Sequence, residues 1–222
     1  MKKLKITTVV GTRPEIIRMS EIIKKFDTFF EHRRIHTGQN PDPLLKDIFF
    51  KDLGLRDPDL YFGGDHTSLA GFLSNLFIGM EKELNAFRPD AVVILGDTNS
   101  ALSAILAKRF GIPVYHLEAG NRSFDQNVPE EINRILTDSV ANYLFVTEQS
   151  GLDHLKREGV PNEKVFFTGN VMIDSLVRYQ EKAKSSRILE ELGLQTIEPV
   201  KNTDDFIVMT MHRPANVDTE TG

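Results

Sequence analysis

Short runs of apolar and β-branched residues alternate along this chain with longer stretches whose apolar positions recur at helical spacing. Ile6 to Val10 predicts a strand, and Pro14 to Phe26 predicts a helix with Ile16, Met19, Ile23 and Phe26 on one face. Arg34 to Thr37 predicts a second strand, while Asp42 to Asp52 and Ser68 to Phe87 predict helices. Ala91 to Leu95 is wholly apolar, the pattern of a strand buried on both faces. Helix Ser100 to Arg109 and strand Pro113 to Leu117 come next, then helix Glu130 to Val140 and strand Tyr143 to Val146. Helix Gln149 to Glu158, strand Lys164 to Phe167 and helix Val171 to Lys182 complete the series. Strand–helix alternation with short connections predicts an α/β fold: a Rossmann-like parallel sheet with helices on both faces.

The pattern changes near the end. Lys184 to Asp205 is more polar and reads as a helix and linker. Phe206 to Met211 reads as another buried strand, for which no neighbouring strands follow before Gly222. The expected organisation is a first domain over 1–183, a linker over 184–205, and the opening strand of a truncated second Rossmann-like domain over 206–222.

Composition narrows the chemistry. The 222 residues are 40% hydrophobic and 27% charged, as in a globular protein with a sizeable core. The net charge of −5 argues against general nucleic-acid binding. The chain has no cysteine, which removes disulfides, thiolate metal sites and cysteine nucleophiles. No HExxH, EF-hand loop or compact Asp/His cluster at metal spacing is present, so no metal is expected, and the turn at Gly11 is neither GxGxxG nor a P-loop, so no dinucleotide cofactor is expected. The apolar run after the basic start is too short for a secretory signal, and none approaches the ~20 residues of a membrane span. The expectation is no membrane partner.

In open parallel sheets, ligands bind beyond the carboxyl ends of the strands. There stand Gly11-Thr12-Arg13-Pro14-Glu15, Gly38-Gln39-Asn40, Gly96-Asp97-Thr98-Asn99, Glu118-Ala119-Gly120-Asn121-Arg122 and His212-Arg213-Pro214. The first loop combines a tight turn, a helix start and Arg13, which suits an anion such as a diphosphate. Each candidate also has a plain structural reading: Asp97 as a helix cap, Glu118 in a salt bridge with Arg122, and Glu130 paired to Arg134. His116 alternates with Glu118 and would share its face, where it reads as a packed histidine. If the loops converge, Asp97, Glu118, Glu130 and His212 share one cleft with Arg13, Arg122 and Arg213, a setting for paired acid–base chemistry.

These segments, with Thr37-Gly38-Gln39, Pro129-Glu130-Glu131-Ile132-Asn133-Arg134 and Thr168-Gly169-Asn170, occur in the order that resembles the non-hydrolysing UDP-N-acetylglucosamine 2-epimerases. The resemblance runs over nearly the whole chain. It implies the N-terminal half of a GT-B-like two-domain protein with its active site between the domains. It implies inversion at C2 of a UDP-sugar without NAD or metal, by elimination and re-addition of UDP. By motif position, Asp97, Glu118, Glu130 and His212 match the catalytic set, with base and acid unassigned. Arg13, Arg18, Gln39, Arg122 and Arg213 match substrate-binding positions. The resemblance also implies a homodimer and a cytoplasmic role in cell-surface polysaccharide synthesis.

Some positions depart from the family. Arg18 stands where Lys is frequent, and Ala215 where Glu is common. Asn40-Pro41-Asp42 and Asp65-His66-Thr67-Ser68-Leu69 differ from the segments that form a second, regulatory UDP-sugar site in bacterial members. The loop Asn121 to Val128 is closer to branches acting on modified UDP-sugars. Alternative readings are an inactive nucleotide-sugar-binding module, a GT-B glycosyltransferase and a hydrolysing 2-epimerase.

Overall fold

The computed structural model describes residues 2–40, 42, 47–63, 68–193 and 208–209. Two compact units are distinguished, Met1–Arg178 and Tyr179–Gly222. The first is built on a parallel sheet of seven strands: β1 (Lys5–Val10), β2 (Glu31–His36), β3 (Leu60–Tyr61), β4 (Ala91–Leu95), β5 (Val114–Ala119), β6 (Tyr143–Val146) and β7 (Val165–Phe167). Their spatial order is β3-β2-β1-β4-β5-β6-β7, the Rossmann order with one further strand.

Helix α1 (Arg13–Phe29) joins β1 to β2, and α2 (Asp47–Asp52) precedes β3. Helices α3 (Leu69–Phe87), α4 (Ser103–Arg109), α5 (Pro129–Val140) and α6 (Gln149–Arg157) connect the strands from β3 to β7. Right-handed crossovers that run first one way along the sheet and then the other place the two groups of helices on opposite faces. The predicted parallel sheet with helices on both faces is the observed one. Helix α7 (Met172–Lys184) follows β7. In the first unit its Ser175 is buried against α1, donating to the Ile17 carbonyl at 2.8 Å.

The core lies between the sheet and α3. Val9, Ile35, Val92, Ile94, Val114 and Leu144 meet Leu76, Met80 and Leu84, all within 1% of complete burial. The spacing of the three α3 residues keeps them on one stripe, and each stabilises the fold by about 1.5–3 kcal/mol through burial. Ser68 caps α3 by accepting from the Gly71 amide at 3.0 Å. Over β4 to β6 the opposite face carries an apolar groove of about 570 Å³, lined by Ile22 and Phe26 of α1 and by Tyr115, Leu117 and Phe145.

Several expected elements are modified. Helix Asp42 to Asp52 is described only from Asp47 onward. The stretch expected as one helix from Ser100 opens with a 3-10 turn, Asn99–Leu102, capped by Thr98 rather than by Asp97. A 3-10 turn, Asn162–Lys164, likewise precedes β7. Strand β3 is too short to leave an alternation in the sequence. It forms because Ile35 and His36 offer Leu60 and Tyr61 a free edge. Strand β5 runs past Leu117 through a bulge, with the register shifting between Leu117 and Ala119 and a φ of 63° at Glu118. The bulge breaks regular alternation. His116 therefore reaches α5 and Glu118 reaches α1, instead of sharing a face. Helix α8 (Ile188–Glu191) lies in the expected linker. The strand expected over Phe206 to Met211 lies outside the described residues apart from Val208 and Met209.

Gly120 closes the bulge with a φ of 80°, and a Cβ there would sit 2.5 Å from the Gly151 carbonyl oxygen of α6. Gly120→Ala combines a left-handed strain with an overlap against backbone, each on the order of 1–3 kcal/mol. The expected result is a clear drop in the urea midpoint. An unchanged midpoint would contradict this packing.

Candidate active site at the strand ends

Strand order reverses between β1 and β4, and the turns that follow these two strands are organised by Glu15, buried to 2% exposure in the first turn of α1. One Glu15 oxygen accepts from the Gly11 and Thr12 amides, both at 2.7 Å, and from the Thr12 hydroxyl at 3.0 Å. The other accepts from the Thr98 hydroxyl at 2.7 Å, which joins the β1 turn to the β4 turn. Burial holds the Glu15 carboxyl above its usual range, and these donors pull it partly back. The anion expected at this turn is thus supplied in part by the chain itself, since two of the amides already hold a carboxylate. Gly11 has no room for a side chain, because a Cβ would lie 2.0 Å from Ser100 Oγ and 2.2 Å from Thr37 Oγ1.

The turn after β4 presents Asp97. Its carboxylate is ion-paired with Arg134, and its carbonyl accepts from Asn133 Nδ2 at 3.0 Å. Both partners come from α5, so the helix that carries Glu130 also fixes Asp97. Gln39 is held against the same turn: its side-chain oxygen accepts from the Ser100 amide at 3.2 Å and the Ser100 hydroxyl at 3.1 Å.

Glu118, on the β5 bulge, has a side chain only 9% exposed and accepts from Arg18 of α1 at 2.8 Å. Burial raises its carboxyl above the ordinary value, Arg18 pulls it down, and the negative charge of Asp97 pushes it up again. Glu118 and Arg18 line a polar cavity of about 380 Å³ together with Asn121, Thr147, Glu148 and Asn170.

Arg18, Glu118, Asp97 and Gln39 therefore gather at one edge of the sheet. Glu130 is half-buried in the first turn of α5. It does not pair with Arg134, which turns to Asp97 and to Glu131 at 3.1 Å. Arg13 is exposed and stands 5.8 Å from the centre of the Phe49 ring. Arg122 does not reach Glu118, and its guanidinium is not open to a ligand. With its side chain 2% exposed, it is clamped by Glu158 at 2.7 Å and Asp138 at 2.8 Å. The reason is geometric: the bulge aims Glu118 towards α1, whereas Arg122 packs towards α5 and α6. His212 and Arg213 lie outside the described residues. Thr147 and Glu148 are additional cavity residues; they follow β6, so the strand-end rule extended to that strand locates them. Among the described residues no group of three or more His, Asp or Glu could hold a metal ion, and no helix is long and apolar enough to cross a membrane.

A parallel sheet whose strand order reverses, with Glu118, Glu148 and Arg18 on a polar cavity at the strand ends, defines an α/β protein built to handle a small polar ligand. The chain belongs to the UDP-N-acetylglucosamine 2-epimerase family, whose model matches residues 24–222. The UDP-N-acetylglucosamine 2-epimerase of Methanocaldococcus jannaschii is 38% identical over 222 residues, 98% of this chain and 59% of that protein. The UDP-2,3-diacetamido-2,3-dideoxy-D-glucuronate 2-epimerase of Pseudomonas aeruginosa is 36% identical over 223 residues, 97% of this chain and 59% of that one. The crystal structure of the Methanocaldococcus jannaschii enzyme in complex with UDP-GlcNAc and UDP aligns with a TM-score of 0.87 at 35% identity, covering 98% of this chain and 59% of that one. This chain spans about three-fifths of the length of these relatives.

Removing Arg18 takes away the largest influence that holds the Glu118 carboxyl down against burial and Asp97, with His116 remaining. In Arg18→Met the Glu118 carboxyl is expected to titrate higher than in the parent, read by carbon NMR of the labelled side chain. A lower or unchanged value would show that the pair does not form. Because the folded Glu118 titrates above its unfolded value, this group makes the fold less stable as pH rises through that interval, and Arg18→Met should widen the interval.

Proposed function

We propose that the protein to which this chain contributes its Rossmann-like part inverts C2 of a UDP-2-acetamido sugar by eliminating UDP and adding it back. The observation that carries the reading is Glu118: a largely buried carboxylate, held above its ordinary range, on a polar cavity beside a single arginine. Such a group is suited to accept and return a proton. The C2 proton is weakly acidic, so its removal needs a positioned base together with stabilisation of the departing diphosphate.

In this reading a carboxylate takes the C2 proton. The C–H electron pair forms the C1–C2 double bond, and the C1–oxygen bond breaks to release UDP. Protonation of C2 on the opposite face and attack of UDP on C1 complete the inversion. Glu118 is one proton carrier, and Asp97 or Glu130 supplies the other. Arg18 exchanges its carboxylate partner for the diphosphate, which frees Glu118 as substrate arrives. Gln39 and Arg13 contact the ligand, while Arg122 acts by holding its loop. His212 and Arg213 enter on the sequence alone. Residues 184–205 are read as a linker and 206–222 as the start of a second Rossmann-like domain. A cytoplasmic homodimer rests on the family resemblance alone. The sugar is UDP-N-acetylglucosamine or a modified relative. The modified sugars are favoured by the loop Asn121 to Val128 and by the likeness to an epimerase of a diacetamido-uronate.

Proton NMR in deuterated water tests the reading with both sugars. The chain extended to the length of its relatives should incorporate deuterium at C2 and form the manno epimer, still joined to UDP. Glu118→Gln should slow exchange by roughly 10²–10⁴-fold. Free N-acetylmannosamine would favour the hydrolysing reaction, and absence of exchange with either sugar would overturn the proposal. The 222-residue chain alone should exchange little; turnover equal to that of a full-length relative would refute that expectation.

A further inference from the structure

His116 is completely buried, and each ring nitrogen meets an oxygen that can only accept. Nδ1 lies 2.7 Å from Asp138 Oδ1, and Nε2 lies 2.7 Å from the Gly96 carbonyl. A neutral imidazole carries one N–H and can satisfy only one of them. Moving the missing proton onto Asp138 is disfavoured, because its second oxygen already accepts from Arg122 at 2.8 Å and from the Gly120 amide at 3.1 Å. With both ring nitrogens protonated, three buried charges alternate along one line, His116 positive, Asp138 negative and Arg122 positive, and the line ends at the exposed carboxylate of Glu158. Each is opposed by a neighbour, as burial requires.

The ends of this line matter for the reaction. His116 grips the backbone at Gly96, where a φ of 74° begins the turn that presents Asp97. Asp138 grips the backbone at Gly120, on the far side of the bulge that presents Glu118. One buried pair therefore connects the two loops that hold the carboxylates.

We propose that His116 is a doubly protonated positioning residue that, through Asp138, sets the Asp97 turn against the Glu118 bulge. The proposal rests on the C2 epimerase reading for the reaction it serves, but not for the state of the ring. Burial alone would lower the basicity of the imidazole. The hydrogen bond and charge of Asp138, the Gly96 carbonyl and the more distant Asp97 outweigh it and hold the ring above its ordinary value. Other charges near the ring are Glu118 on its own strand and Arg122 behind Asp138. Because the folded value lies above the unfolded one of about 6.5, the stabilisation is fully present below that pH and is lost as pH rises through the folded value.

Nitrogen NMR of the labelled 222-residue chain reads the ring directly. Two protonated ring nitrogens are expected at pH 8, where an ordinary histidine is neutral. A neutral tautomer at that pH would overturn the proposal. In the extended protein His116→Gln cannot donate to both oxygens, so C2 exchange should fall by roughly 10–100-fold in kcat with little change in KM. The conservative variant Asp138→Asn offers an amide donor to a neutral ring and keeps the Gly96 bond. It should recover most of the rate while the ring signal becomes neutral. If His116→Gln folds and retains the parent kcat, or if Asp138→Asn is as slow as His116→Gln, the positioning role is wrong. Should the parent show no exchange, the epimerase reading fails instead. The strut is then judged by whether His116→Gln displaces the carbon titration of Glu118, and an undisplaced titration would overturn it.

Discussion

A single buried carboxylate holds together the place on which the site depends. Glu15 accepts from the turn after β1 and from Thr98 in the turn after β4, across the seam where the connections leave for opposite faces of the sheet. Burying a carboxylate is costly unless its lone pairs are filled, and here four donors fill them. The seam cannot spread without exposing that cost. The absence of a side chain at Gly11 then lets Ser100 and Thr37 close in from the neighbouring strand ends, and Gln39 is anchored as a result.

Helix α5 supplies the second constraint. Its Asn133 and Arg134 hold Asp97, Glu131 accepts from the Ser123 and Phe124 amides, and Asp138 holds Gly120. The helix buries polar groups on the side that faces the strand ends, and it uses them to fix backbone and carboxylates in position. Glu118 is oriented by the β5 bulge instead. Its reach towards Arg18 follows from that displacement, while burial raises its proton affinity.

The strands Ala91 to Leu95 and Tyr143 to Val146 were legible to the residue, because compact apolar runs between turn residues allow no competing period. The parallel topology followed from the alternation and from right-handed crossovers. Ion-pair partners were not legible. Local spacing proposes Arg122 for Glu118 and Glu130 for Arg134, whereas the fold brings Arg18 to Glu118 from 100 residues away and Asp97 to Arg134 from 37 away. A bulge cannot be read from alternating residues, and it reassigned both His116 and Glu118. Asn170 was marked by its motif, whereas Thr147 and Glu148 belong to no quoted motif, although they stand after a strand where the ligand rule applies.

The loop that begins at Asn121 is fastened at its base twice, by Arg122 in its clamp and by the Glu131 carboxylate on the Ser123 and Phe124 amides. Beyond those anchors Phe124 to Asn127 stand exposed. Neither fastening uses a side chain of the tip, so substitutions at the tip leave the base of the loop tied to α5 and α6.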